Sequence, residues 1–556
     1  MPRQLWYKDA ILYCLDVETF QDGDGNGIGD FRGLHARLDH LAGLGVTCVW
    51  LLPFFPSPNR DNGYDVTDYY HVDPRLGTPG DFVEFMRAAR ERGLRVIIDL
   101  PVNHTSKEHP WFQAARRDRE SRFHDYYVWS DERPEDAGEG VVFPGVQEEI
   151  WTWDPVAKQY YFHRFYEHQP DLNIANPEVR AEIERIMGFW LELGVSGFRL
   201  DAAPFLIELK GIHGVHGQDP YDYLGEFRDF LSWRRGDAIL IAEANVPPEK
   251  VSSYFGPAPR LHMLFNFMLN EHLFLALARA DRGPLVKGLF LNPPIPAHAQ
   301  WANFLRNHDE LDLGRLTAKQ RQEVFDAFAP EPEMQLYDRG IRRRLAPMVA
   351  GDGDRLRMVH SLLFTLPGAP VIRYGEEIGM GENLALPERN AVRTPMQWHA
   401  GWNGGFSGAD PELLARPALA EGEYGYPEVN VQAQQRDPDS LLNWVEHAIR
   451  ARKQCPEFGR GAVQILECDD AAVFAHACTY RGGTVLAVHN LADRALEVRV
   501  DTSGLTGEVL ADALGREDPC PLEPETRLSL GRYGFRWRRV VGSDRRHRQG
   551  AVVGGD

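Results

Sequence analysis

The sequence predicts an α/β fold: a (β/α)8 barrel with a subdomain inserted after its third strand and a C-terminal antiparallel β-sandwich. Three observations carry this. Short aliphatic runs alternate with helix-patterned segments from the N-terminus onward, several of those runs end in polar residues, and beyond 441–454 the pattern changes to strand-like alternation. A chain of 556 residues is also too long for one core, so more than one domain is expected.

The elements follow in order. Ala10 to Val17 reads as the first strand, Phe31 to Leu44 as a helix, Val46 to Pro53 as the second strand, Asp81 to Arg92 as a helix and Arg95 to Pro101 as the third strand. Segment 102–175 is rich in His, Trp, Tyr and Asp and poor in helical periodicity. It is too long for an ordinary loop, so it reads as an inserted subdomain roofing the site. Helix 176–194 has a proline in its first turn and leads into Gly197 to Ala202. The later barrel strands are Ala238 to Ala244, Leu261 to Phe267, Ala302 to Asn307 and Pro370 to Tyr374. Strands at Ala462–Glu467, Ala472–Tyr480, Thr484–Asn490 and Leu496–Val500 then mark the sandwich. The expected domain boundaries are 1–101 and 176–458 for the barrel, 102–175 for the subdomain and 459–541 for the sandwich, with a disordered tail at 542–556.

Composition narrows the function. A net charge of −20 argues against nucleic acid or an anionic membrane as partner, since both reward clustered Lys and Arg. Thirteen Trp, 19 Tyr and 29 Phe suffice for a large core and a sugar-stacking cleft. No signal peptide or membrane-spanning run is evident, and the six cysteines lack paired spacing, so a cytoplasmic protein with reduced thiols is expected. Oligomeric state is open, and a homo-oligomer is compatible with the sequence.

Four segments converge on one chemistry: Asp99-Leu-Pro-Val-Asn103-His104, Gly197-Phe-Arg199-Leu-Asp201, Ile241-Ala-Glu243-Ala-Asn245 and Phe304-Leu-Arg-Asn307-His308-Asp309. Barrel enzymes keep their reactive groups where strands end. Glycosyl cleavage with retention needs two carboxyl groups about 5 Å apart, one as nucleophile and one as acid then base. Asp201 fits the nucleophile, because Arg199 lies two residues earlier on the same side of the strand. Glu243 fits the acid/base, because its apolar flanks favour a protonated carboxyl. Asp309 would bind sugar hydroxyls and favour the distorted ring, His104 and His308 would donate to the same sugar, and Tyr64-Asp65 would hold the terminal glucose. The plain alternative makes Asp201 and Glu243 ordinary strand-end carboxylates in salt bridges; it leaves the other two segments unexplained.

These segments resemble the four signature regions of the α-amylase superfamily, glycoside hydrolase family 13, and Gln169-Pro-Asp-Leu-Asn173 resembles the additional region of its α-glucosidase-like members. The resemblance implies Asp201 as nucleophile, Glu243 as acid/base and Asp309 as transition-state stabiliser. Arg393-Thr-Pro-Met-Gln-Trp398 is similar to enzymes of short α-glucosides, where Arg393 would close the aglycone side. Leu5–Ala10, Trp151–Pro155, Gly340–Pro347 and Gly379–Asn383 are similar to the trehalose synthase branch. The resemblance therefore implies a small α-glucoside substrate, maltose, trehalose or similar, and first of all maltose–trehalose isomerisation. The alternatives are an α-glucosidase or transglucosylase on maltose-sized substrates and, more remotely, an inactive carbohydrate-binding homologue. The branch usually has Asn-Gln-Trp after the acid/base, whereas here Asn245 precedes Val246-Pro247; where its first strand ends in a His and an Arg, this one reads Cys14-Leu-Asp-Val-Glu18.

Two metal sites are expected, both structural, and no organic cofactor. Asp22, Asp24, Asn26, Ile28 and Asp30 space oxygen ligands at every second residue, as at the start of an EF-hand loop. Gly33 stands where that loop needs Glu and no helix is expected ahead of it, so a single Ca2+ in a loop is the reading, against an ion-free Gly/Asp turn. The resemblance to the trehalose synthase branch implies a second site from Asn103, Asp171, Glu208 and the carbonyls of Phe205 and Leu206.

Overall fold

Eight parallel strands, buried except at Arg95 and Trp301, follow one another around a closed barrel: Leu12–Leu15, Cys48–Leu51, Arg95–Leu100, Gly197–Leu200, Ile239–Ala242, Met263–Phe265, Gln300–Phe304 and Ala369–Arg373. The first and last close the ring, with Leu12 beside Val371. The structure is a computed structural model and describes residues 5–208, 210 and 219–542. Each expected barrel strand has its counterpart. The interior is packed by Leu12, Cys14, Trp50, Ile97, Ile241, Phe265 and Phe304, so the barrel is a filled core with its open end reserved for polar residues.

Local chemistry sets the ends of the elements. The first strand stops at Leu15 rather than Val17, because the Asp16 side chain accepts from the Glu18 amide and starts a one-turn helix, Val17–Phe20. A short helix does therefore precede the Asp/Gly loop, contrary to expectation. The helix expected over Phe31 to Leu44 breaks at Arg37 into Phe31–Ala36 and Leu38–Leu44. Asn176 caps the helix Pro177–Glu192, accepting from Glu178 N, with proline as its first residue.

Between the third and fourth barrel strands the chain forms the helix Pro110–Ala115 and a three-stranded antiparallel sheet of Trp129–Ser130, Gln159–Phe162 and Trp151–Asp154. Val128, Ala137, Ile150, Trp151 and Phe162 give this excursion a small core of its own. Two further excursions were not foreseen. After the seventh strand come the helix Ala318–Phe328 and a three-stranded sheet of Leu311–Asp312, Gln335–Leu336 and Gly340–Ile341. After the eighth, the chain runs to Asn430 through turns and short 3-10 segments such as Glu388–Val392 and Trp402–Gly405.

The C-terminal region has eight strands where four were expected. A six-stranded antiparallel sheet contains Val473–Tyr480, Gly483–Asn490 and Phe535–Val541, and a two-stranded sheet pairs Leu496–Asp501 with Glu525–Leu530. Val473, Ala475, Leu486, Val488, Val498, Val500, Leu528 and Leu530 share one core between them. The other face of the larger sheet meets the barrel helix Gly353–Thr365, where Trp537 Nε1 donates to Ser361 Oγ at 2.7 Å and His489 Nε2 lies 2.8 Å from the same oxygen. All six cysteines are unpaired. No described helix is long and apolar enough to cross a membrane. The tail expected to be disordered lies, from 543 on, outside the described residues.

Candidate active site

Strand register assembles the polar cluster. Asp99 and Arg199 are direct partners on neighbouring parallel strands, so both point into the barrel mouth and pair at 2.8 Å. Arg199 Nη1 also donates to Asp201, and its Nη2 donates to Glu243. One buried guanidinium thus binds three carboxyl groups. Tyr64 Oη donates to Asp99 at 3.0 Å and lies 2.6 Å from His308 Nε2, its ring stacked on the imidazole. Directly after Asp201 the backbone takes a left-handed conformation at Ala202 (φ 46°), which costs a residue with a Cβ roughly 1–2 kcal/mol. The Ala203 amide then reaches the Glu243 carbonyl at 3.1 Å, tying the two strand ends together.

Charge differs sharply between neighbours. Burial pushes the Glu243 carboxyl up to about 8 against the pull of Arg199, so it carries a proton at neutral pH, while a quarter of its side chain faces the cleft. Burial likewise raises Asp99 to about 7. Asp309 is held well below the usual carboxylate range despite its burial, by the guanidinium groups of Arg389 and Arg393. Arg389 Nη1 is 2.9 Å and Arg393 Nη2 2.8 Å from the same Asp309 oxygen. Burial drives the His308 imidazole well below its ordinary value, which favours the neutral ring.

These groups open onto a cavity of about 590 Å³, a size that suits a small molecule. Tyr64, His104, Asp201, Glu243 and Asp309 form its floor, and Val246, Pro247 and Phe267 belong to its wall. Phe143 and Phe165 from the inserted subdomain roof it. Phe143 packs against Tyr166 and Tyr337 with ring centroids 4.8 and 4.9 Å apart, and Arg339 donates to the Val142 carbonyl at 3.0 Å. The excursion after the seventh strand therefore pins the roof down. His104 lines this cavity, and its buried Nε2 has no partner among the described residues.

Four residues expected to touch sugar stand elsewhere. Arg199 and His308 are 1% exposed and act from behind Asp201, Tyr64 and Asp309. Asp65 is fully buried, its carboxylate accepting from Ser57 Oγ and the amides of Arg60 and Asp61, so it shapes the turn. Asp61, at the start of the same Asp-Asn-Gly-Tyr-Asp stretch, lines the cavity instead. Arg393 does not close the aglycone side: it is buried behind Asp309, with Nε on the His308 carbonyl at 2.8 Å. Arg389 is the one in the cavity wall, bridging Asp309 and Asp61. Spacing could not separate these pairs; a chain turn decides which member faces in.

The Asp/Gly loop fits a hard cation. Oxygens of Asp22, Asp24 and Asp30 lie within 4.8 Å of one another, and none of the three carboxylates is in an ion pair among the described residues. Asn26 Oδ1 instead accepts from the Ile28 amide at 2.8 Å. The second metal site does not fit. The Lys210 ammonium lies among its expected ligands, 3.0 Å from Asp171 Oδ2 and 2.9 Å from Asn103 Oδ1. Glu208 pairs with Arg164 at 2.6 Å, and the Phe205 carbonyl accepts from the Glu208 amide. This expectation is corrected: the anionic ligands already have cations of their own.

Residues 17–461 match the family model "Alpha amylase, catalytic domain", and 482–539 match "Sucrose hydrolase-like, C-terminal domain". A trehalose synthase of Thermus thermophilus is 44% identical over 96% of the chain, which spans only 55% of that protein's length. A trehalose synthase of Pimelobacter sp. is 42% identical, with 97% of this chain and 96% of that protein covered. Among solved structures, an α-amylase from H. orenii superposes with a TM-score of 0.76 at 29% identity, covering 96% of this chain and 99% of that one.

Proposed function

Since the chain belongs to the α-amylase family of glycoside hydrolases, with trehalose synthases among its relatives, we propose that it is a retaining enzyme of short α-glucosides that interconverts maltose and trehalose. The observation that carries the mechanism is the shared guanidinium: Arg199 grips Asp201 and Glu243 from adjacent nitrogens, which favours the short carboxyl spacing, about 5–5.5 Å, of retention. Asp201 attacks the anomeric carbon while protonated Glu243 gives its proton to the departing glucose oxygen, forming a glucosyl-aspartate. Glu243, now ionised, then takes a proton from a hydroxyl of that glucose, whose oxygen displaces Asp201 at the anomeric carbon. Asp309, fixed as an anion by Arg389 and Arg393, binds ring hydroxyls of the planar transition state; Tyr64, His104 and Asp61 grip the terminal glucose.

The roof of Phe143 and Phe165 supports isomerisation, because a freed glucose must turn over without escaping and without water entering. Val246 and Pro247 in the wall favour a partial leak to hydrolysis, since they offer no indole to stack the freed sugar. The loop 22–30 holds a structural Ca2+ through Asp22, Asp24 and Asp30. Free, largely buried thiols suit a cytoplasmic enzyme. Substrate size tests the reading: kcat/KM should be higher for maltose than for maltoheptaose, and a tenfold advantage for the longer chain would make this an endo-acting amylase.

A further inference from the structure

Behind His104 a buried ammonium bridges the two ends of the inserted subdomain. Lys210 Nζ lies 2.9 Å from Asn103 Oδ1, 3.4 Å from the Asn103 carbonyl, 3.0 Å from the Leu172 carbonyl and 3.0 Å from Asp171 Oδ2. Asn103 follows the third barrel strand, whereas Asp171 and Leu172 lie at the end of the subdomain. Asn103 Nδ2 passes the contact on, at 3.1 Å to Asp171 Oδ2 and 3.2 Å to His104 Nδ1. The other ring nitrogen of His104 has no partner among the described residues, and the residue lines the cavity.

This is the neighbourhood in which the sequence suggested a divalent ion. The oxygens lie at hydrogen-bonding distances from the ammonium, not at the roughly 2.3–2.6 Å that calcium requires. Charge is already balanced: Lys210 answers Asp171 and Arg164 answers Glu208. We infer that Lys210 is a positioning residue that takes the place of a metal ion here, locking the subdomain to the barrel and orienting His104, and that this site accepts no divalent cation while the lysine is present. An ammonium with three donors can satisfy the Asn103 and Leu172 oxygens and balance the buried Asp171 charge at once. Removing it leaves an anionic, oxygen-lined hole, which is what calcium prefers.

The test compares the full chain with Lys210→Ala, which opens the hole, and Lys210→Met, which fills it without charge. Bound calcium is counted by native mass spectrometry after equilibration with CaCl2, and melting is followed in CaCl2 and in chelator. Any ion in loop 22–30 contributes equally to all three proteins. Lys210→Ala should bind one calcium more than the wild type, and Lys210→Met should not. In chelator both variants should melt about 3 °C or more below the wild type, with only the alanine variant recovering in calcium beyond the wild-type increment. The maltose KM of Lys210→Ala should rise about fivefold in chelator and return with calcium, a readout that rests on the proposed sugar site. The ion count does not, so the two readings can fail separately. Equal calcium counts in wild type and Lys210→Ala would overturn the inference. If neither variant folds, the wild type decides: a second bound calcium overturns it, and one or none upholds it.

Discussion

Glu243 and Asp309 face the same cavity, yet one is held protonated and the other ionised. The difference is local: Glu243 shares one guanidinium with Asp99 and Asp201, while Asp309 is held by two, Arg389 and Arg393. If Glu243 is the proton donor, activity requires its protonated form, so kcat/KM should fall as pH rises through about 8 and the fall should vanish in Glu243→Gln. Glu243→Gln and Asp201→Ala should each lower kcat on maltose by about a thousandfold or more while leaving the melting temperature within a few degrees. A loss of less than tenfold in either would remove the assignment. The carboxyl groups that meet at the cavity were legible in the sequence because each follows an aliphatic run. Of the sugar-gripping partners, the sequence pointed to Asp65 and Arg393, whereas Asp61 and Arg389 line the cavity. Asp61 and Asp65 are both buried acids of one turn, and Arg389 and Arg393 both bind Asp309; which of each pair reaches the cavity depends on the path of the chain between them.

At the scale of elements, the barrel strands announced themselves because each is buried on both faces and so reads as a continuous apolar run. The excursions after the seventh and eighth strands did not. Leu311–Asp312, Gln335–Leu336 and Gly340–Ile341 are two-residue strands, too short to show any period, yet they bring Tyr337 and Arg339 onto the roof. The acidic cluster of the Asp/Gly loop was legible because its oxygen-bearing side chains recur at even spacing. Chelation of the metal-loaded protein should lower its melting temperature more than its initial rate, since an ion bound only by the folded state stabilises by mass action. An unchanged melting temperature, with no metal by elemental analysis, would count against the loop.

Across the whole molecule, the C-terminal sheet is fused to the barrel by a buried contact rather than a linker. Trp537, fully buried, donates to Ser361 of the barrel helix Gly353–Thr365 and packs on Phe458, which leads out of the barrel. Trp537→Ala should cost about 3–5 kcal/mol and lower the melting of barrel and sheet together, as one transition by calorimetry. Two separated transitions would mean that the domains fold independently. The central claim is that this roofed pocket retains a freed glucose long enough to rejoin it through a different hydroxyl. Incubating the enzyme with maltose alone and following the anomeric protons by NMR tests this directly. The account predicts trehalose as the main product, with a smaller amount of glucose; glucose with no trehalose at any time would contradict it.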